Sequence, residues 1–158
     1  MGMRYSSQFN LDKLRQNLFA RQGRYYKGMR DGAEIGAEII MAKSQENSPV
    51  DTYNLEEAHH IETTHTAADN VRVTIEVSGI GYGSEHPRDV ETYAMLVHEM
   101  LAPYGAGELN GKPFSIGPKS RAKAATGKAV GGKFLERAIE SEKAKAIQAI
   151  RESIRKNK

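Results

Sequence analysis

The chain has 158 residues, 39% of them hydrophobic and 7% aromatic, with no Trp and no Cys. That length suits one domain around one core, and the missing Cys excludes disulfides, zinc knuckles, thiol nucleophiles and iron–sulfur clusters built by this chain. With 23 Lys and Arg against 20 Asp and Glu the net charge is only +3, too mild for a protein whose whole surface grips nucleic acid. Apolar runs are too short for a membrane span, and the opening MGMRYSSQFN lacks the apolar stretch of a signal peptide. A soluble, unexported protein is therefore expected.

In chain order, residues 1–10 read as an N-terminal arm that ends in a helix start. Asn10 is a good N-cap, and Phe9 is placed to pack on Leu14 as a hydrophobic staple. Apolar or small residues then recur at Leu11, Leu14, Leu18, Tyr25, Met29, Ala33, Gly36 or Ala37, and Ile40. Steps of three and four predict a helix from about Leu11 to Gln45, with one stripe for core or subunit contact. Gly23 is a candidate kink, and Gly28, Gly32 and Gly36, four apart, let another backbone approach closely. Asn47-Ser48-Pro49 ends the helix, because the residue before Pro is driven out of the α region.

Ala58 to Thr66 alternates weakly and Val71 to Val77 cleanly, with Val71, Val73, Ile75 and Val77 on one face, which should turn toward the helices. Ala68-Asp69-Asn70 suits the turn of a hairpin. The apolar run Tyr93 to Val97 fits a strand or a short helix, and periodicity alone does not separate the two. Residues 102–132, rich in Gly and Lys and carrying three Pro, read as a long basic loop or mobile arm. From Leu109 to Lys133 there are six cations (Lys112, Lys119, Arg121, Lys123, Lys128, Lys133) and no acid. A last helix, about Lys133 to Arg155, carries Leu135, Ile139, Ile147, Ile150 and Ile154 as its stripe, with cations in its last turn where the macrodipole favours them. The fold class expected is α+β in a single domain. An antiparallel sheet of three to five strands packs against a long N-terminal helix and a C-terminal helix, with a long Gly/Lys-rich loop.

Sites of chemistry are sparse. His59, His60 and His65 are the one His cluster, but on a strand His60 points away from the other two and no acid completes a set, so no metal is expected. His98-Glu99 matches the start of H-E-x-x-H, yet Ala102 stands where the second His belongs. Ala122 to Ala129 imitates a phosphate-binding loop but lacks its first Gly and its hydroxyl, and Gly79, Gly81 and Gly83 do not lead into a helix. No nucleophile elbow or paired carboxylate stands out, which favours a non-enzymatic protein without cofactor. The basic stretch, above all Lys119, Arg121, Lys123 and Lys128, suits phosphate or an acidic protein rim, or is a solvated loop.

Three blocks carry a family pattern. Ala42-Lys43 followed by Ser48-Pro49-Val50-Asp51-Thr52-Tyr53-Asn54-Leu55 and Ile61 resembles the "A-K…A-P-V-D-T-G-x-L…S-I" signature of the tailed-bacteriophage head–tail connector family, also called tail-completion or neck proteins. Tyr93 to Met100 is similar to the family's "Y-A-x-x-V-E-F-G" strand, with Tyr93 and Val97 on the pattern and Glu99 counted with them as a family-motif residue. Phe134 and Leu135 open a match to "P-F-L-x-P-A-L", the start of the C-terminal helix. The matches run in order from about Gly32 to Ser153. Departures are Tyr53 at the turn Gly, which shifts the left-handed position to Asn54, His98-Glu99-Met100 for "E-F-G", and a longer segment before Phe134. Asp51 or Thr52 would cap the turn after Pro49, and Leu55 would re-enter the core.

The resemblance implies a structural virion protein, made in the host cytoplasm and placed in the neck. There it would be a homo-oligomeric ring, a hexamer first and a dodecamer next, between the DNA-filled head and the tail. Its expected partners are its own copies, the adjoining head-completion and tail-terminator proteins, and the packaged DNA, with no membrane. The alternative is a small cytosolic nucleic-acid-binding protein that uses the basic loop.

Overall fold

A computed structural model of the chain describes residues 11–50, 55–67, 70–79, 87–101, 106–109 and 112–158. The Phe9–Asn10 staple, Asp51, Thr52 and Asn54, the turn at Ala68-Asp69, Gly81, Gly83 and Tyr104 lie outside the described residues. Helix α1 spans Leu11–Asn47 and runs unbroken through Gly23. Strands β1 (His59–Ala67) and β2 (Asn70–Val77) form an antiparallel hairpin, followed by helix α2 (Pro87–Met100). A second antiparallel pair, β3 (Ala106–Leu109) and β4 (Lys112–Ser115), precedes helices α3 (Pro118–Ala125) and α4 (Phe134–Lys156). The class is α+β as expected, but the described strands form two separate two-stranded sheets.

The frame is the antiparallel pair α1 and α4, and small residues set its spacing. A Cβ added at Gly28 would stand 2.9 Å from Ile154 Cα, at Gly32 2.7 Å from Ile150 Cα, and at Gly36 3.3 Å from Ala146 Cβ. The glycines thus allow close approach within one subunit. The buried line of α4 is Phe134, Ala138, Glu142, Ala146 and Ser153, and the two of these that stand against the glycines, Ala146 and Ser153, are short-chained. The expected stripe is displaced to its flank, where Ile139 and Ile147 are 44% and 47% exposed.

The β1–β2 hairpin lies against α1. Its register pairs His59 with Val77, Ile61 with Ile75 and Thr63 with Val73. Val73 and Ile75 face α1 and α4 across a groove, and Val77 packs against the core. Half-burial of all four β2 apolar residues shows a face covered only in part.

The core joins Leu55, Ala58, Val90, Ala94, Val97, Leu101, Ile116, Val130 and Phe134. Tyr93 to Val97 is helical, which corrects the strand implied by the family pattern. The buried residues Val90, Ala94, Val97 and Leu101 recur at steps of four, three and four, the period of a helix on a core. The long loop is corrected too: residues 106–125 contain a hairpin and a helix. Pro118 occupies the first turn of α3, where a missing N–H costs nothing. Among the described residues, no helix is long and apolar enough to cross a membrane.

Candidate assembly surfaces

Two features of the described residues bear on function: a set of anchoring contacts around the C-terminal end of α1, and a large apolar surface left uncovered. The anchoring begins with α3. Lys123 is turned inward, its side chain only 11% exposed, and its ammonium donates to Gln45 O (2.7 Å), Ser48 O (3.0 Å) and Glu56 Oε2 (3.0 Å). Ser120, fully buried, accepts the Val50 N–H at 2.9 Å. Helix α3 is therefore a clip across the exit of α1, and Lys123 serves the fold instead of offering its charge to a partner. Lys119, Arg121 and Lys128 are exposed. Arg121 also donates to Ile116 O at 3.2 Å, and the charge of Lys128 helps hold the Glu46 carboxyl below its usual range, behind the larger effect of the Lys43 hydrogen bond.

The three family-pattern blocks converge on one place. Pro49, Leu55, Val97 and Phe134 are buried, the last three in the same core cluster, with Tyr93 and Leu135 packed against its edge. Phe134 lies edge-on between the imidazoles of His59 and His98, with centroids at 5.7 and 5.4 Å. Just before it, Gly132 passes so close to Leu101 that a Cβ would overlap the Leu101 carbonyl, and the Lys133 N–H donates to His98 O at 2.9 Å. Glu99 is exposed and accepts from His98 Nδ1 at 2.9 Å, which lowers its carboxyl below the ordinary range.

Ser44 and His59 form a pair that resembles a nucleophile and its base. His59 Nδ1 donates to Leu55 O at 2.6 Å, which fixes the neutral tautomer, and Nε2 accepts the Ser44 hydroxyl proton at 2.8 Å. Ser44 is fully buried and His59 only 6% exposed, so the pair pins β1 to α1 and presents no open nucleophile. Burial holds the His59 imidazole below its ordinary range, and the Lys123 charge adds to this against the opposing backbone hydrogen bonds.

The folded state therefore resists a proton that the unfolded chain accepts near about pH 6.5. Stability is unaffected by this group above that value and falls as pH drops below it, until the lower folded value is reached. Urea midpoints at about pH 7.5 and about pH 5.5 should separate more for the native chain than for His59→Gln, and equal separation would remove His59 from the account. His60 bonds Glu76 at 3.2 Å on the outer face of the hairpin, and among the described residues no group of His, Asp or Glu is arranged to hold a metal ion.

The uncovered surface is the second feature. Among the described residues, seven large hydrophobics are buried (Leu55, Val90, Val97, Leu101, Ile116, Val130, Phe134), while eleven are exposed, seven of them on α1. The stripe expected on α1 includes Leu11, Leu14, Leu18, Tyr25 and Met29 of these but not Phe19 or Ile35, and it left core and subunit contact both open. The available signal was the low apolar content of the whole chain, 39%, which leaves little core to cover a helix of 37 residues. Comparison with family models, with curated proteins and with solved structures finds no match for this chain.

Proposed function

We propose that this chain is a structural, non-enzymatic subunit of the neck of a tailed bacteriophage, assembling into a ring that joins the DNA-filled head to the tail. The observation that carries the reading is the excess of exposed over buried large hydrophobics, eleven against seven among the described residues. A free monomer gains little from such a surface, whereas a subunit covered by neighbours gains the burial on assembly. The meeting of the three family-pattern blocks in one core supports the assignment, because residues that match a family by order also pack together. Six copies are favoured and twelve come next. The sheet of three to five strands that accompanies the family pattern would be reached by pairing of open hairpin edges with another chain. Adjoining neck proteins would meet the ends of the ring, and Lys119, Arg121 and Lys128 would face an acidic rim or the DNA path.

The test is joining of heads to tails in an extract from a phage deleted for this gene. Purified protein should restore infectious particles, and light scattering should show a closed ring. The second reading, a nucleic-acid-binding protein, is favoured by the exposed cations of α3. It would be supported by a monomer whose DNA affinity falls steeply with salt and by an extract that gains nothing from added protein.

A further inference from the structure

The two helices of the frame end together in a basic surface that head–tail joining leaves without a role. Helix α4 reaches along α1 only as far as Gly28, where Ile154 and Asn157 lie against the α1 backbone. Residues 11–27 therefore extend α1 by about 25 Å beyond it. Counting side chains, this arm holds five cations (Lys13, Arg15, Arg21, Arg24, Lys27) and one acid, Asp12. Residues 151–158, the end of α4 that meets Gly28, add Arg151, Arg155, Lys156 and Lys158 against Glu152. All nine cations are exposed. Without these two stretches the chain is net negative.

The geometry gathers part of this charge into one site. Arg21, Arg24, Tyr25 and Lys158 line a recess of about 440 Å³ where the end of α4 abuts the arm. Arg21, Arg24 and Lys158 make no ion pair with another described residue. By helical spacing Lys13, Arg21, Arg24 and Lys27 share an arc of about 120° around α1 that contains no acid, and Asn17 within it adds an amide donor. The exposed Leu11, Leu14 and Leu18 adjoin this arc at Arg21 but centre about 110° away from it.

That arrangement selects among polyanions. The leucines lie on the side of α1 where α4 stands, so the end of α4 obstructs a flat bilayer laid along them, and four of the five cations fall to one side of the leucines where an interfacial helix flanks its apolar face on both. An acidic protein groove that clasped the leucines would leave most of the arc in solvent. A duplex uses the arc alone: it presents one phosphate charge per about 1.7 Å of axis along the whole length of the arm.

We propose that the cationic arc of α1 and the end of α4 form a sequence-independent site for the phosphate backbone of duplex DNA. Arg21, Arg24 and Lys158 grip phosphate at the recess, and Lys13 and Lys27 meet others along the arm. The inference goes beyond the neck reading and does not rest on it. It assigns the DNA contact away from α3, where Arg121 is tied to Ile116 O and Lys128 stands by the Glu46 carboxylate.

The experiment measures binding of a fluorescein-labelled duplex to the full-length chain by anisotropy, between about 50 and about 200 mM salt. The native chain should bind two duplexes of unrelated sequence equally, with an affinity that falls steeply as salt rises. Arg21→Gln with Arg24→Gln, at exposed positions, should keep the native urea midpoint and weaken binding by about tenfold at about 50 mM salt. It should also lower the slope of log affinity on log salt by about 2, near one for each phosphate contact removed. Arg21→Lys with Arg24→Lys, which keeps the charge, should restore the slope. Lys119→Gln with Arg121→Gln and Lys128→Gln should leave affinity and slope as in the native chain. The proposal is overturned by a native chain that leaves the duplex unbound at the lowest salt, by an Arg21/Arg24 variant with native affinity and slope, or by a loss confined to the α3 variant. Polyglutamate or anionic-lipid vesicles bound while the duplex stays free would overturn it too, and would hand the arc to an acidic protein or a bilayer. None of these failures touches head–tail joining, whereas a chain that binds DNA through this arc yet restores no particles sinks the neck reading and leaves the site standing.

Discussion

Gly32→Leu should lower the stability of the folded chain by about 3 kcal/mol, at the top of the range for overpacking. The neighbour is backbone: a Cβ alone would already stand 2.7 Å from Ile150 Cα and 3.2 Å from its carbonyl oxygen. Neither atom belongs to a side chain that can rotate away, so α1 and α4 must separate along the contact that Gly28 and Gly36 extend. Gly23 supplies the control. Nothing lies within 4 Å of a Cβ there, and Ala in place of Gly in a helix interior contributes about 0.8–1.0 kcal/mol. Gly23→Ala should therefore raise the urea midpoint while Gly32→Ala lowers it, the same chemical change with opposite signs. Equal effects at the two positions would mean that the helices do not meet through these glycines.

The close approach was legible because glycines four apart have few uses in a helix other than letting something near. What the spacing left open was the partner, and the structure places it inside the subunit. Helix α2 was legible in principle as well. A window confined to Thr92–Met100 holds too short an apolar run to separate strand from helix. Extended to Val90 and Leu101, the steps of four, three and four select the helix. The family pattern pulled the other way, toward a strand.

Helix α3 was not legible from periodicity, since Ser120 is its one buried residue and an apolar stripe is absent. Its position depends on hydrogen bonds to Gln45, Ser48 and Val50, some seventy residues away in the chain, and no local pattern encodes such partners. The same holds for His59. A His on an alternating strand reads as a surface imidazole until Ser44 and Leu55 O are seen on either side of the ring. The C-terminal helix shows the opposite error. Its Ile residues are its most apolar, yet Gly28 and Gly32 meet the backbones of Ile154 and Ile150, and the side chains that enter the close contact at Gly32 and Gly36 are those of Ser153 and Ala146. Ile139 and Ile147 are thereby left at the surface.

Lys123→Glu should be the most damaging change in the basic segment, on the order of 3–5 kcal/mol, the range for leaving a buried charge without its partner. The new carboxylate would face the carbonyls of Gln45 and Ser48 and the Glu56 carboxylate, all of which now receive the ammonium. Lys123→Met separates the contributions. Gln45 O keeps its donors from Ser48, whereas Ser48 O loses the ammonium, at about 1–3 kcal/mol. The ion pair itself contributes little more, because Glu56 is 45% exposed and solvent screens it. Thermal unfolding should rank the native chain above Lys123→Met and both above Lys123→Glu. If the two variants unfold together with the native chain, α3 does not clip the end of α1.

The ranking also decides how the basic surface is to be probed. Reversing Lys119, Arg121, Lys123 and Lys128 together would unfold the clip and abolish any activity for a trivial reason. Reversal of Lys119, Arg121 and Lys128 alone should leave stability within about 0.5 kcal/mol per site. That variant, folded and still ring-forming, should fail to join heads to tails if these cations meet an acidic rim or the DNA path. Joining at the native rate would show that their charge serves only solvation.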